Sequence, residues 1–199
     1  MKNLAAVVLA AGLSSRFGSR DKLLHPYRGR LLLEWTLRAV AAAGLVDCVA
    51  VIGPQETEKA ALVAAHGLRA IENPTPEFGM AISLGCGVRG LRGKIDGIFI
   101  CLGDMPAITS AHLRQLAARF EALANDAILA PTHQQQRGHP VLFGAAHRAA
   151  LSALEGDHGA RALLATAGAR LVLHDLQDAA VLRDIDTVAD LNGPPSLDC

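Results

Sequence analysis

Three groups of residues in this chain have types and spacings that carry chemistry. The first is the loop Gly12-Leu13-Ser14-Ser15-Arg16-Phe17-Gly18-Ser19-Arg20-Asp21-Lys22, which follows an apolar run ending Leu9-Ala10-Ala11. Small residues let a backbone approach a ligand closely, successive N–H groups can surround anionic oxygens, and Arg16 and Lys22 are cations that match phosphate. Together they can cradle a triphosphate, although a loop of this composition also reads as an ordinary surface turn. The spacing matches neither GxxxxGK[ST] nor a GxGxxG that opens a helix. The second group is Asp104, which closes the apolar run Ile98-Phe99-Ile100-Cys101-Leu102-Gly103 and is followed by Met105-Pro106. The third is Asp184-Ile185-Asp186-Thr187, where two-residue alternation puts Asp184 and Asp186 on one face of a short strand. A hard cation such as Mg²⁺ takes one or two carboxylates together with substrate phosphates, so Asp104 with either of these aspartates can bring a metal to a bound triphosphate. A lone aspartate at a strand end can also serve only to cap the next turn.

These groups need elements that bring them to one place. Residues 4–10 form a continuous Val- and Leu-rich run, the pattern of a parallel strand covered on both faces. Leu33, Leu37 and Val40 recur at helical spacing and Gly44 stands where a left-handed C-terminal cap belongs. Residues 47–53 and 68–72 read as strands around a helix over 55–65, and a helix over 81–88 precedes the strand 97–102. Thr109 or Ser110 caps a helix whose Leu113, Leu116, Phe120 and Leu123 fall on one side. Short strands at 127–130 and 141–143 flank a His- and Gln-rich loop, which reads as solvated. A helix near 161–166, a strand at 171–173 and a last strand at 182–186 complete the chain. The alternation predicts an α/β fold: a mostly parallel sheet with helices on both faces, whose ligands gather beyond the carboxyl ends of the strands.

With 199 residues, 51% of them hydrophobic, and no linker or charge run, the chain reads as one domain with an aliphatic core. Nineteen basic residues balance nineteen acidic ones, which argues against a nucleic-acid or anionic-membrane partner and makes any phosphate binding local. No apolar stretch approaches bilayer length and the N-terminal run has no signal-peptide pattern. Cys48, Cys86, Cys101 and Cys199 form no CxxC pair, and Cys48 and Cys101 sit inside apolar runs. A cytoplasmic protein is expected.

The set LAAGLSSRFG with Lys22, Asn73, Gly79-Met80-Ala81-Ile82-Ser83-Leu84, Leu102-Gly103-Asp104-Met105-Pro106, Arg137-Gly138-His139-Pro140-Val141-Leu142-Phe143-Gly144 and Asp184-Ile185-Asp186-Thr187 resembles the molybdenum cofactor cytidylyltransferases over nearly the whole chain. The loop and the GDMP segment are shared across a wider nucleotidyltransferase superfamily; the RGHPVLFG and DIDT segments narrow it. The resemblance implies a Rossmann-like fold, three-layer α/β/α around a mostly parallel mixed sheet, with a nucleotide-binding half over about residues 1–105 and an acceptor-binding half over about 106–199. It implies Mg²⁺-dependent transfer of CMP from CTP to the molybdopterin cofactor, and a recipient molybdoenzyme of the xanthine dehydrogenase type. Leu9, Ala10, Ala11, Gly12, Asn73 and Ser83 would contact the nucleotide, Arg16 and Lys22 its phosphates, Asp104 and Asp186 the metal, and Gly138, His139 and Pro140 the acceptor. The guanylyl branch typically has a glycine at the place of Ala11, so this methyl is expected to favour a pyrimidine. Relatives usually show two residues between the glycine matching Gly18 and the lysine, where this chain has three, leaving Arg20 as an alternative cation.

Related transferases acting on GTP, a sugar phosphate or methylerythritol phosphate share most of these features. A non-catalytic protein that delivers the cofactor to a molybdoenzyme could dispense with the metal carboxylates, which this chain keeps. A dinucleotide oxidoreductase is disfavoured by the missing GxGxxG and by the absence of an acidic residue at ribose-binding distance after it.

Overall fold

The computed structural model describes residues 1–12, 21–156 and 160–191. In chain order it contains β1 (Leu4–Leu9), a ribbon of β2 (Pro26–Tyr27) and β3 (Arg30–Leu31), α1 (Leu32–Ala41), β4 (Asp47–Ile52), α2 (Thr57–Ala65), β5 (Arg69–Glu72), α3 (Met80–Gly90), β6 (Gly97–Leu102) and α4 (Ser110–Phe120). There follow β7 (Ile128–His133), β8 (Gln136–Arg137), β9 (Val141–Gly144), α5 (Arg148–Ser152), α6 (Arg161–Thr166), β10 (Leu171–Asp175) and α7 (Val188–Leu191). The main sheet has the order β10-β7-β9-β6-β1-β4-β5, with β8 paired to β7. Its strands run parallel except β9, which is antiparallel to both β6 and β7, and β8.

The continuous apolar run of β1 follows from its central place. Leu4, Ala6 and Val8 face a cluster containing Leu33 and Leu37 of α1, Val63 of α2 and Leu113 and Leu116 of α4. Ala5 and Val7 face the opposite one, containing Leu84 and Val88 of α3 and Leu151 of α5. Two-residue alternation thus sends successive side chains into two different helical layers, which is the three-layer arrangement expected. Cys101 is buried and Cys48 half-buried; loss of hydration raises both thiols, Cys48 to about 11, so both are protonated packing groups at neutral pH. Among the described residues no helix is long and apolar enough to cross a membrane.

Two expectations change. The segment between the strands at 127–130 and 141–143 is solvated as expected but shorter: β7 runs on to His133, β8 pairs with it, and the exposed Gln134 and Gln135, both at positive φ, form a tight two-residue hairpin turn. Residues 182–186 are not a strand: a 3₁₀ turn at Ala179–Leu182 runs into extended chain without a ladder, and the Ile185 N–H instead donates to the Asp104 carbonyl at 3.0 Å. Alternating Leu182, Asp184 and Asp186 mimics a strand because extended chain has the same period whether or not it pairs.

At Gly87 the helix α3 packs closely on the sheet. A Cβ there would lie 2.4 Å from Val7 Cγ1 and 2.8 Å from Val51 Cγ2. Its poor helix propensity is offset by this close packing. Gly87→Ala is expected to lower stability by about 1–3 kcal/mol, read as a lower urea midpoint with an unchanged slope; an equal or higher midpoint contradicts the packing.

Candidate active site

The site begins where the central strands end. The Ala10 N–H donates to Val51 O at 2.8 Å and the Gly103 N–H to Leu9 O at 3.0 Å, so the ladders of β1 continue past its last residue. Those bonds set Asp104 beside the start of the loop that follows β1. From the helix below, the buried Thr36 hydroxyl lies 3.2 Å from Leu102 O and 3.4 Å from Met105 O, fixing the turn on either side of Asp104. Packing of Met105 and Ile108 against Ala180 and Val181, together with the Ile185–Asp104 bond, brings residues 184–186 to the same turn.

Asp21 caps a 3₁₀ turn over Lys22–Leu24, its Oδ1 accepting from the Leu23 N–H at 2.9 Å. From that turn Lys22 Nζ reaches Asp104 Oδ2 at 2.7 Å and Asp186 Oδ1 at 3.3 Å. Burial works against the charged ammonium, but the hydrogen bonds and charges of Asp104 and then Asp186 outweigh it and hold Lys22 above its ordinary value. Asp186 is anchored in turn: its N–H donates to Asp190 Oδ2 at 3.0 Å, and the Thr187 hydroxyl donates to the same oxygen at 2.8 Å. At Asp184, desolvation pushes the carboxyl above the usual carboxylate range, and the negative charges of Asp186 and Asp104 add to it.

Two carboxylates therefore hold one ammonium, and Asp184 lies near enough to feel their charge. No preformed cage of three or more metal-binding side chains exists among the described residues. Two oxygen donors already converging on one cation, with room in the coordination sphere for phosphate, is the donor set a hard divalent ion takes up beside a nucleotide. Asp104 and Asp186 fit that ion.

Of the other expected site residues, Ala10 and Ala11 are buried, Leu9 is half-buried and Gly12 exposed. Ala11 belongs to the α3-side cluster with Val51 and Leu84, so any influence on the base runs through how the loop seats on α3. Asn73 follows β5, its N–H donating to Ile52 O at 2.9 Å and its Nδ2 to the Ser83 hydroxyl of α3 at 2.9 Å. That pair lies at the carboxyl edge shared by β1, β4, β5 and β6, beside the lysine cluster's strands. Arg16 and Arg20 lie outside the described residues.

Gly138, His139 and Pro140 precede β9, and because β9 is antiparallel its beginning lies at the same edge. A Cβ on Gly138 would sit 2.0 Å from Val181 O, so only glycine permits this approach. The His139 N–H donates to Val181 O at 2.9 Å and the His139–Pro140 peptide is cis. Burial lowers the His139 imidazole below its ordinary value, with Asp104 and Asp184 near enough to oppose that, so the ring is neutral at pH 7. Its Nδ1 is buried and has no hydrogen-bond partner, which leaves one donor or acceptor for a ligand. A separate pocket of about 470 Å³ between α3 and α5, lined by Phe78, Ile82, Arg89 and Leu154 among others, shares no residue with the lysine cluster.

Sequence reasoning missed Lys59. It lies in α2 with no exposed surface, bonded to Ala10 O at 2.8 Å, Glu56 Oε1 at 2.9 Å and Asp21 Oδ2 at 2.6 Å. The available signal was its position four residues before the buried Val63, on the inward face of the helix.

Residues 6–174 match the MobA-like NTP transferase domain. The chain is 29% identical over 194 residues to the nicotine blue oxidoreductase of Paenarthrobacter nicotinovorans, covering 94% of each. It is 30% identical over 140 residues to the bifunctional protein GlmU of Pelobacter propionicus, which it matches over only 30% of that protein's length. Among solved structures it is similar to Rv0371c of Mycobacterium tuberculosis, with TM-score 0.84, 28% identity and 96% of each chain covered. That protein has also been solved in complex with manganese. A nucleotidyl transferase from Methanothermobacter, Mth528, superposes with TM-score 0.79 at 26% identity over 94% of this chain and 93% of that one.

Because the folded pKa of Lys22 is raised above 10.5, its ion pairs contribute fully below that pH and their contribution is lost as pH rises through the folded value. Lys22→Met is expected to lower stability by about 1–2 kcal/mol, by a constant margin between about pH 7 and 9, with the margin shrinking above it. Urea midpoints across that range check this; a margin that widens with rising pH contradicts it.

Proposed function

The chain belongs to the MobA-like NTP transferase domain family, and from that premise we propose that it transfers CMP from CTP to the terminal phosphate of the molybdopterin form of the molybdenum cofactor. The observation that carries this reading is the Lys22 ammonium shared by Asp104 and Asp186 at the carboxyl edge of the sheet. A phosphate monoester is already anionic at neutral pH, so the acceptor needs no general base. One of its oxygens attacks the α-phosphorus of CTP in line, the bond from that phosphorus to the oxygen bridging to the β-phosphorus breaks, and pyrophosphate leaves with the electron pair. Lys22 and Arg16 neutralise the charge that shifts onto the leaving group, while Leu9, Ala10, Ala11, Gly12, Asn73 and Ser83 hold the nucleotide in line. Asp104 and Asp186 would hold Mg²⁺, which when bound draws the triphosphate oxygens together and withdraws charge from them. The neutral His139, with its unpartnered Nδ1, meets the acceptor beside Gly138 and Pro140. The product is suited to a molybdoenzyme of the xanthine dehydrogenase type.

A second reading, hydride transfer, is favoured by one observation, the name of the Paenarthrobacter relative. The loop after β1 has no GxGxxG, and a carboxylate–lysine cluster has no part in moving a hydride. One experiment separates the readings: pyrophosphate release from CTP, GTP and ATP, with and without molybdopterin cofactor, beside oxidation of NADH and NADPH with a dye acceptor. CTP-dependent release that requires the cofactor is expected. Release that requires a sugar phosphate, or turnover of reduced nicotinamide alone, overturns the proposal.

Asp104→Ala is expected to fold and to lose about 10²–10³-fold in kcat; a folded variant releasing pyrophosphate at the wild-type rate removes Asp104 from the metal site. Ala11→Gly is expected to shift the CTP to GTP preference toward GTP, measured as the ratio of kcat/KM values, and an unchanged ratio rules out the methyl as its determinant.

A further inference from the structure

Lys59 stands outside every motif that the proposed reaction uses, yet its ammonium has all three N–H donors engaged by oxygens from three parts of the chain. Ala10 directly follows β1 and Asp21 directly precedes Lys22, so one nitrogen joins the end of the central strand to the turn that carries Lys22. Glu56, the third partner, is itself fixed by accepting the Gly53 N–H on its other oxygen at 2.7 Å, which ties the nitrogen to the end of β4. Burying a cation costs several kcal/mol unless its partners are well arranged, and an apolar side chain would serve packing against Val63 and the sheet equally well. The charge therefore has a use that packing alone does not explain.

We infer that Lys59 is a positioning residue for the Lys22–Asp104 pair: it clamps Ala10 and Asp21 together and, through Asp21, aims Lys22 at Asp104. The path is continuous. Lys59 holds Asp21 Oδ2 at 2.6 Å, Asp21 Oδ1 holds the Leu23 N–H at 2.9 Å, and the turn so capped carries Lys22, whose Nζ is 2.7 Å from Asp104. An ammonium aimed before the nucleotide arrives has less orientational freedom to lose on binding, so the effect falls on nucleotide affinity and on alignment. This inference rests on the nucleotidyl-transfer reading above.

The test compares wild type, Lys59→Met, Asp21→Asn and the double variant by CTP titration calorimetry, by kcat and KM for pyrophosphate release, and by urea unfolding without nucleotide. Lys59→Met is expected to weaken CTP binding about tenfold and to lower kcat/KM about 10²-fold, the loss expected of a reacting group displaced by about 1 Å. Asp21→Asn is expected to do the same in part, and the double variant to be no worse than Lys59→Met, since both act through one contact. A purely structural role moves only the urea midpoint. A folded Lys59→Met protein with wild-type CTP affinity, kcat and KM, or fully additive losses, overturns the inference. Should Lys59→Met not fold, Asp21→Asn decides by the same readouts, because it leaves Lys59 bonded to Ala10 and Glu56. A wild-type protein that binds none of CTP, GTP and ATP overturns the nucleotide reading itself; a wild type that binds CTP beside an unaffected Lys59→Met overturns only the role of Lys59.

Discussion

The ammonium of Lys22 joins two carboxylates that lie 82 and 164 residues away along the chain. Each of its partners reaches that point by a different route: Asp104 at the end of β6, Asp186 through a chain segment held by the Ile185–Asp104 bond and by Asp190. The contact is possible only because β1 and β6 are parallel neighbours in register, so that their carboxyl ends emerge together. Parallel pairing in turn requires crossover helices on the sheet faces, and both faces of β1 are accordingly apolar. The composition of the core and the position of the charges are thus two consequences of one topology.

Much of this was legible in the sequence because central parallel strands are buried on both faces and appear as unbroken apolar runs. Residues 4–10 and 97–102 could be placed on that ground, and with them the loop before Lys22 and the carboxylate at 104. The direction of β9 was not legible. Its four residues carry no mark of orientation, yet only an antiparallel strand puts His139, which precedes it, at the edge where the other strands end. The segment 182–186 failed for a related reason: alternation reports extended backbone, while a strand also needs a free ladder partner, and Ile185 bonds a turn instead.

Lys59 was illegible because a lysine in a helix reads as solvated unless its partners are known, and Ala10 and Asp21 are remote from it in sequence. The two lysines divide the work. Lys59, with no exposed surface, belongs to the frame that holds Asp21; Lys22, a little open to solvent at 13% of its side-chain area, would on the proposed function exchange a carboxylate for a phosphate. Such an exchange needs both states to be close in energy. The excess of negative charge from Asp104, Asp184 and Asp186 would supply that, since a divalent cation bound with a nucleotide would relieve the same repulsion that Lys22 relieves here.

On the proposed function, Lys22, Asp104 and Asp186 form one metal–triphosphate site. Anomalous diffraction from crystals grown with Mn²⁺ and CTP tests it most directly. The expected result is a manganese peak beside Asp104 and Asp186, triphosphate density along the loop after Ala10, and Lys22 Nζ turned from Asp104 to a phosphate oxygen. Manganese bound away from that pair, or CTP seated in the pocket between α3 and α5, contradicts it.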